Sequence, residues 1–131
     1  MTRDLLVQIC LEQPEAIEDF PFGEHVSVFK VGGKMFALLP FGSETVSVTV
    51  KCDPGKAESL RQKYSAVRAS NFHKKHWNRV FLDGSIPLKE VREWIEDSYD
   101  LVVDNLPKTL RSRLQQEIRN LGDCLFLNSS F

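Results

Sequence analysis

The feature that most restricts the fold of this chain is a glycine pair, Gly32 and Gly33, between two β-rich runs. The runs cover residues 25–31 and 34–40. A two-residue hairpin turn needs positive φ angles at its centre, which glycine adopts at little cost, so the pair predicts a β-hairpin. A third run, residues 46–52, alternates apolar and polar residues, which predicts an antiparallel strand with one buried face and one polar face.

Helical periodicity and helix-breaking residues predict four helices. The first covers residues 3–13 and ends at Pro14. Asp53 as N-cap and Pro54 at the first position open the second. The third and longest starts at Pro87 and ends before Leu106-Pro107. The predicted buried stripes are Leu5, Leu6, Ile9 and Cys10; Ala57, Leu60 and Tyr64; Val91, Trp94, Ile95, Ser98, Leu101 and Val102; and, on the last helix, Leu110, Leu114, Ile118 and Leu121.

The remaining segments complete an α+β pattern. Residues 67–69 and 77–82 are predicted strands, and residues 20–23 (Phe-Pro-Phe-Gly) a loop whose aromatic side chains tuck against the core. Strands joined by hairpin-length loops and interrupted by helices indicate an antiparallel sheet with helices packed on one face, in a two-layer sandwich. We expect a single domain over residues 1–121 and a tail over residues 122–131.

Composition excludes several classes of protein. The chain has 131 residues and a net charge of −1, so no global field attracts it to nucleic acid or to an anionic membrane. Its three cysteines form no CxxC pair, which favours reduced thiols over a disulfide framework or a zinc site. No secretory signal and no apolar run of about 20 residues is recognisable. The expected location is the cytoplasm.

A basic segment is the main candidate for a functional surface. Arg68, Lys74, Lys75 and Arg79 are interleaved with aromatic residues, and no acid lies between them. Cations neutralise phosphates, and exposed aromatic rings stack on bases or wedge into a groove. Four phosphate contacts give a log–log salt slope of about −0.9 × 4, roughly −3.6. The alternative is a solvated basic loop that Phe72 and Trp77 anchor to the core.

Several motifs in fixed order closely resemble the MmcQ/YjbR family of small bacterial proteins. They are Val28-Phe29-Lys30-Val31-Gly32-Gly33-Lys34-Met35-Phe36-Ala37-Leu38, Lys51-Cys52-Asp53-Pro54, His76-Trp77-Asn78, Leu82-Asp83-Gly84-Ser85-Ile86-Pro87, Ser98-Tyr99 and Leu106-Pro107-Lys108. The resemblance spans roughly residues 3–114. It implies a fold similar to CyaY, the bacterial frataxin, and no enzymatic activity. Members of the family are commonly labelled DNA-binding, through a "double wing" of hairpins.

The basic segment and the resemblance together predict a surface for double-stranded DNA. Its candidate residues are Lys34, Lys51, Arg68, His73, Lys74, Lys75, His76, Trp77, Asn78 and Arg79. The alternative is a module without enzymatic activity that binds a protein or a small ligand in a cleft at the sheet edge, lined by Trp77, Asn78 and the histidines.

Other chemistries have weaker support. His73 and His76 form an HxxH pair, but zinc needs further ligands, for which Cys52 and Asp53 are the only speculative sources. The basic face of the last helix, with Lys108, Arg111, Arg113 and Arg119, is typical of a solvated helix. Acids on the first helix, Asp4 and Glu12, are too sparse for the iron-binding ridge of frataxins. Cys52 beside Asp53 and Ser98 beside Tyr99 have no surrounding motif of the kind that nucleophilic catalysis needs. We therefore expect no metal, no cofactor and no enzyme.

Overall fold

A computed structural model of the chain describes residues 3–42, 45–70 and 75–129, with side chains as far as residue 118. The fold is α+β, as predicted, with ten elements in the described chain. In order they are α1 (Arg3–Leu11), β1 (Ile17–Asp19), β2 (Val26–Val31), β3 (Lys34–Pro40), β4 (Ser47–Lys51), α2 (Pro54–Lys63), β5 (Val67–Ala69), β6 (Trp77–Phe81), α3 (Leu88–Asp104) and α4 (Lys108–Ser129).

The strands form one six-stranded antiparallel sheet in the order β1-β2-β3-β4-β6-β5. The main core lies between one face of this sheet and the helices. It includes Phe29, Leu39, Val48 and Val80 from the strands, with Ile95 from α3. The prediction of helices on one face of an antiparallel sheet is thus confirmed. The specific likeness to CyaY stays a prediction.

The predicted hairpin joins β2 to β3, with φ angles of 58° at Gly32 and 80° at Gly33. A Cβ at Gly32 would lie 2.9 Å from side-chain carbons of Leu106 and of Leu110. The tip of the hairpin therefore packs against the junction of α3 and α4, where a side chain would have to displace both leucines. The sequence requires glycine here for its backbone angle and for this close approach.

Ser98 of α3 joins two strands that pair directly at only two positions. The direct partners are Ala37↔Val50 and Leu38↔Thr49. Next to them, the Ser98 hydroxyl donates to the Phe36 carbonyl at 2.6 Å and accepts from the Lys51 N–H at 2.8 Å. A helix side chain thus completes the ladder where β3 and β4 diverge.

Four features of the local structure differ from what the sequence indicated. β1 was not predicted. The loop aromatics do not tuck against the core, because Phe20 is 45% and Phe22 63% exposed. Asp53 precedes α2 as expected, but its side chain makes no capping hydrogen bond. The backbone of the predicted tail continues α4 as far as Ser129. None of the described helices has both the length and the apolar character that crossing a membrane requires.

Candidate nucleic-acid interface

The sheet face turned away from the helices, called the open face below, collects several candidate residues. Successive residues of a strand point to opposite faces, and paired residues point to the same face. Lys51 pairs with Trp77, and Arg79 pairs with Thr49 on one side and Arg68 on the other. One row of paired residues consequently crosses all six strands: Asp19, Val28, Leu38, Thr49, Arg79 and Arg68.

Trp77 is part of a small apolar cluster on this face. It is 7% exposed and packs with Val28 and Leu38, which are 0% and 9% exposed. Val26 and Met35 are partly buried and pack against the same cluster. The indole therefore seals the centre of the open face, as the alternative interpretation of an anchoring aromatic predicts for this residue.

Two arginines lie directly opposite each other at the β5–β6 end of the open face. The Arg68 guanidinium carbon lies 5.3 Å from the centre of the Phe81 ring, and that of Arg79 lies 4.8 Å from it. The Arg79 Nε donates to the Ser47 hydroxyl at 3.0 Å. Among the described residues, neither guanidinium forms an ion pair with a carboxylate. Within the described ranges, their contacts are with a hydroxyl and a ring, neither of which carries a charge.

The acid of this row lies at the opposite end of the sheet. Asp19 accepts a hydrogen bond from the Lys30 ammonium at 2.9 Å. This bond, aided by the backbone N–H of Phe20, lowers the pKa of the Asp19 carboxyl. Asp19 therefore stays ionised next to Lys30. Three strands, β2, β3 and β4, separate Asp19 from β6.

Asn78 is separated from its sequence neighbours. It lies on the core face and is 0% exposed. Its amide oxygen accepts from the Arg61 Nε at 2.8 Å, and its amide nitrogen donates to the Ala57 carbonyl at 3.1 Å. Both groups are used to hold α2 against β6, so Asn78 is not presented on the open face.

The other candidates lie around the end of the sheet where β4 finishes. Lys34 is exposed at the β2–β3 hairpin, and Lys75 and His76 are exposed just before β6. The His76 carbonyl accepts from the Cys52 N–H at 2.6 Å, which ties this segment to the end of β4. Phe72, His73 and Lys74 lie outside the described residues. The HxxH pair includes His73, so the structure does not test it.

Two pockets adjoin this end of the sheet. One, of about 360 Å³, is lined by Lys51, Cys52, Asp53, His76, Trp77, Leu101 and Asn105. The other, of about 270 Å³, is lined by Lys51, Cys52, Asp53, Lys56, Trp94, Asp97, Asp100, Leu101 and Asp104. Burial raises the pKa of the Cys52 thiol to about 11, so it stays protonated near neutral pH. Sequence reasoning missed Asn105 and the acids of α3, because only the packing of α3 brings them beside β4.

Known proteins match this chain over most of its length. A family model described as YjbR matches residues 11–101. The uncharacterised protein YjbR of Escherichia coli K12 is 34% identical over 117 residues, which cover 88% of this chain and 99% of the relative. The uncharacterised protein YbdF of Escherichia coli O157:H7 is 34% identical over 109 residues, covering 82% and 89%.

Solved structures show the same fold. A Deinococcus radiodurans protein with the domain DUF419 superimposes with a TM-score of 0.81 at 35% identity, covering 87% of this chain and 88% of that protein. A Pseudomonas syringae protein superimposes with a TM-score of 0.67 at 26% identity, covering 77% and 98%.

Proposed function

The chain belongs to the YjbR family, and from that premise we propose that it binds double-stranded DNA through the open face of its sheet. One observation carries the proposal: Arg68 and Arg79 lie directly opposite each other across β5 and β6. Like charges at directly opposed positions of a sheet destabilise it. A bound polyanion removes that repulsion, so this arrangement favours an anionic partner.

The cations of the open face are suited to phosphates. Lys51 lies on the neighbouring strand β4, two residues along the sheet from the position opposite Arg79. Lys75 is exposed in the segment that leads into β6. If these four cations each meet one phosphate, log K falls with log salt at a slope of about −0.9 × 4, roughly −3.6. With a net charge of −1, the chain has no general attraction to add to these contacts.

Titration of a labelled duplex with the protein, at roughly 50 and 200 mM salt, tests the proposal. The double variant Arg68→Gln/Arg79→Gln removes two charges from the open face and should weaken binding by about tenfold or more. The matched control is Lys89→Gln/Lys108→Gln, which removes two exposed charges on the helix side. The proposal is wrong if no duplex binds at low salt, or if the two double variants weaken binding equally.

A second candidate function rests on the 360 Å³ pocket. Lys51 and His76 line one part of its wall, and Asn105 contributes from α3. A cation, an imidazole and an amide around a partly apolar cavity are suited to a small anionic metabolite. A thermal-shift screen of metabolites tests it, since a ligand at 100 times its Kd stabilises the fold by about 2.7 kcal/mol. A hit should be lost in Asn105→Ala, whereas DNA binding should not change. An empty screen counts against the pocket.

Both candidates are consistent with a location in the cytoplasm, which we propose for this chain. Cys10 and Cys52 are free and buried in the core. Thiols of this kind persist where the environment is reducing.

A further inference from the structure

The polar groups of the open face are placed for the backbone of a duplex and not for its bases. Sequence is read by side chains that reach base edges: arginine forks, amides and hydroxyls. On the open face, Ser47 is 1% exposed and Thr49 is 7% exposed. The amide nearest to them, that of Asn78, is buried on the core face. Among the described residues, the open face thus exposes no amide or hydroxyl in its central strands.

The two aromatic residues that the structure describes on this face, Trp77 and Phe81, also contact other side chains. A ring that stacks on a base, or wedges between base pairs, must present a free surface. Trp77 seals the apolar cluster of Val28 and Leu38 and is 7% exposed. Phe81 is contacted by the guanidiniums of Arg68 and Arg79. Both rings hold other side chains in place and are not offered to a base.

The architecture around the open face also favours contacts with the DNA backbone over contacts with base edges. Reading the major groove requires an α-helix or a two-stranded ribbon that enters it. The helices lie on the other side of the sheet, and the tip of the β2–β3 hairpin packs on Leu106 and Leu110. Within the part of the chain that the structure describes, the open face presents a sheet surface with cations on three neighbouring strands, at Lys51, Arg79 and Arg68.

We propose that this protein binds the phosphodiester backbone of duplex DNA without regard to base sequence. The inference rests on the proposed function and specifies its substrate: any duplex of sufficient length. Phosphate contacts fix position and supply affinity, and they carry no sequence information directly. Arg68 and Arg79 then act as point charges, each on one phosphate.

Replacing arginine with lysine separates the two modes of recognition. Lysine keeps the positive charge but lacks the planar fork that reads guanine bidentately. We expect the double variant Arg68→Lys/Arg79→Lys to bind within about twofold of the unmodified protein, and Arg68→Gln/Arg79→Gln to bind at least about tenfold more weakly. Loss of the Phe81 ring in Phe81→Leu should affect duplexes and a single strand alike if the ring only positions the two guanidiniums, whereas loss of a stacked base costs the single strand about fivefold or more.

The experiment measures fluorescence anisotropy with AT-rich, GC-rich and mixed duplexes of one length, and with a single strand of that length. We expect duplex affinities within about threefold of one another and no tighter binding of the single strand. A preference of tenfold or more among duplexes, lost in the lysine variant, overturns the inference and leaves DNA binding standing. A tenfold preference for the single strand that disappears in Phe81→Leu also overturns it. Failure of every duplex to bind overturns the proposed function itself.

Discussion

The open face and the outer surface of α3 carry opposite charges and hold them in different ways. On the open face, Arg68 and Arg79 contact a ring and a hydroxyl, and neither contact removes charge. The surface of α3 has carboxylates at helical spacing, with Asp97, Asp100 and Asp104 lining one pocket. The open face is therefore suited to an anion, whereas on α3 the carboxylates outnumber the two lysines of that pocket, Lys51 and Lys56, of which Lys56 pairs with Asp97. The net charge of the whole chain is only −1.

The pKa values of an aspartate on each surface, Asp100 on α3 and Asp19 on the sheet, are shifted in opposite directions. Burial, reinforced by the negative charges of Asp97, Asp104 and Glu96, raises the pKa of Asp100. On the sheet face, the hydrogen bond from Lys30 lowers the pKa of Asp19. A carboxylate is thus disfavoured on α3 and favoured beside Lys30. The comparison teaches that the surroundings of each charge, more than the total charge, decide which partner a surface accepts.

The largest expected effect comes from Ser98, which ties α3 to the sheet between these two surfaces. Ser98→Ala leaves the buried Phe36 carbonyl and the Lys51 N–H without their partner. At about 1–3 kcal/mol for each of the two unpaired groups, we expect a loss of about 2–6 kcal/mol in the free energy of unfolding. Urea denaturation measures it. Ser59→Ala on exposed α2 is the control, with an expected change within about 0.5 kcal/mol. A Ser98→Ala protein as stable as that control would show that β3 and β4 close up and pair directly.

The next largest effect is on DNA binding, to which we expect the open face to contribute and the surface of α3 not to contribute. Arg79→Gln should make the salt slope of duplex binding shallower by about 1, because one phosphate contact is lost. Asp100→Asn changes the charge by one unit in the other sense, at a position on α3 where no phosphate contact is proposed and where physiological salt screens an exposed charge over about 8 Å. We expect it to change duplex affinity by less than about twofold. Equal and opposite effects of the two variants would mean that only total charge matters.

Much of the fold follows from local patterns in the sequence. Gly32 and Gly33 are sufficient to specify the hairpin turn, and the helical spacing from Val91 to Val102 identifies the buried side of α3. β1 has no such signal, since Ile17–Asp19 contains two acids, which are rare in strands. It is a strand because β2 supplies its hydrogen-bonding partner, and no local pattern contains that partner.

The candidate site was predictable only in part. Alternation along β6 was enough to place Trp77 and Arg79 on one face and Asn78 on the other, so grouping Asn78 with them neglected the strand period. The opposition of Arg68 and Arg79 depends on the register between β5 and β6. Both strands contact α2, and no local pattern specifies their register, so the sequence shows two basic residues and not their position. The acids of α3 are visible in the sequence, but their place beside Cys52 is not.

A smaller effect is expected when the repulsion on α3 is relieved. The folded-state pKa of Asp100 is raised above its unfolded value, so its ionised form costs stability at neutral pH, and that cost disappears as the pH falls through the folded pKa. Asp100→Asn should therefore stabilise the fold at pH 7. Because the side chain is only partly buried and much of it still contacts solvent, screening limits the gain to about 0.3–0.5 kcal/mol. Urea denaturation at pH 7 and at about pH 3 checks it, since the gain should vanish at the acid pH. A gain that is equal at both would contradict the proposed repulsion.

The smallest expected effect concerns the ion pair of Asp19 and Lys30. It tests directly whether the pKa values of Asp19 and Asp100 are shifted in opposite directions. The folded-state pKa of Asp19 is lowered, so its contribution to stability is present above the unfolded pKa and is lost as the pH falls through the folded value. Carbon-13 NMR titration of the side-chain carboxyls should show Asp19 titrating below an ordinary aspartate and Asp100 above it. Lys30→Met should return the pKa of Asp19 towards the ordinary value and leave that of Asp100 unchanged, because the two lie on opposite faces of the sheet. If both aspartates shift together, the two surfaces share one electrostatic field and do not act separately.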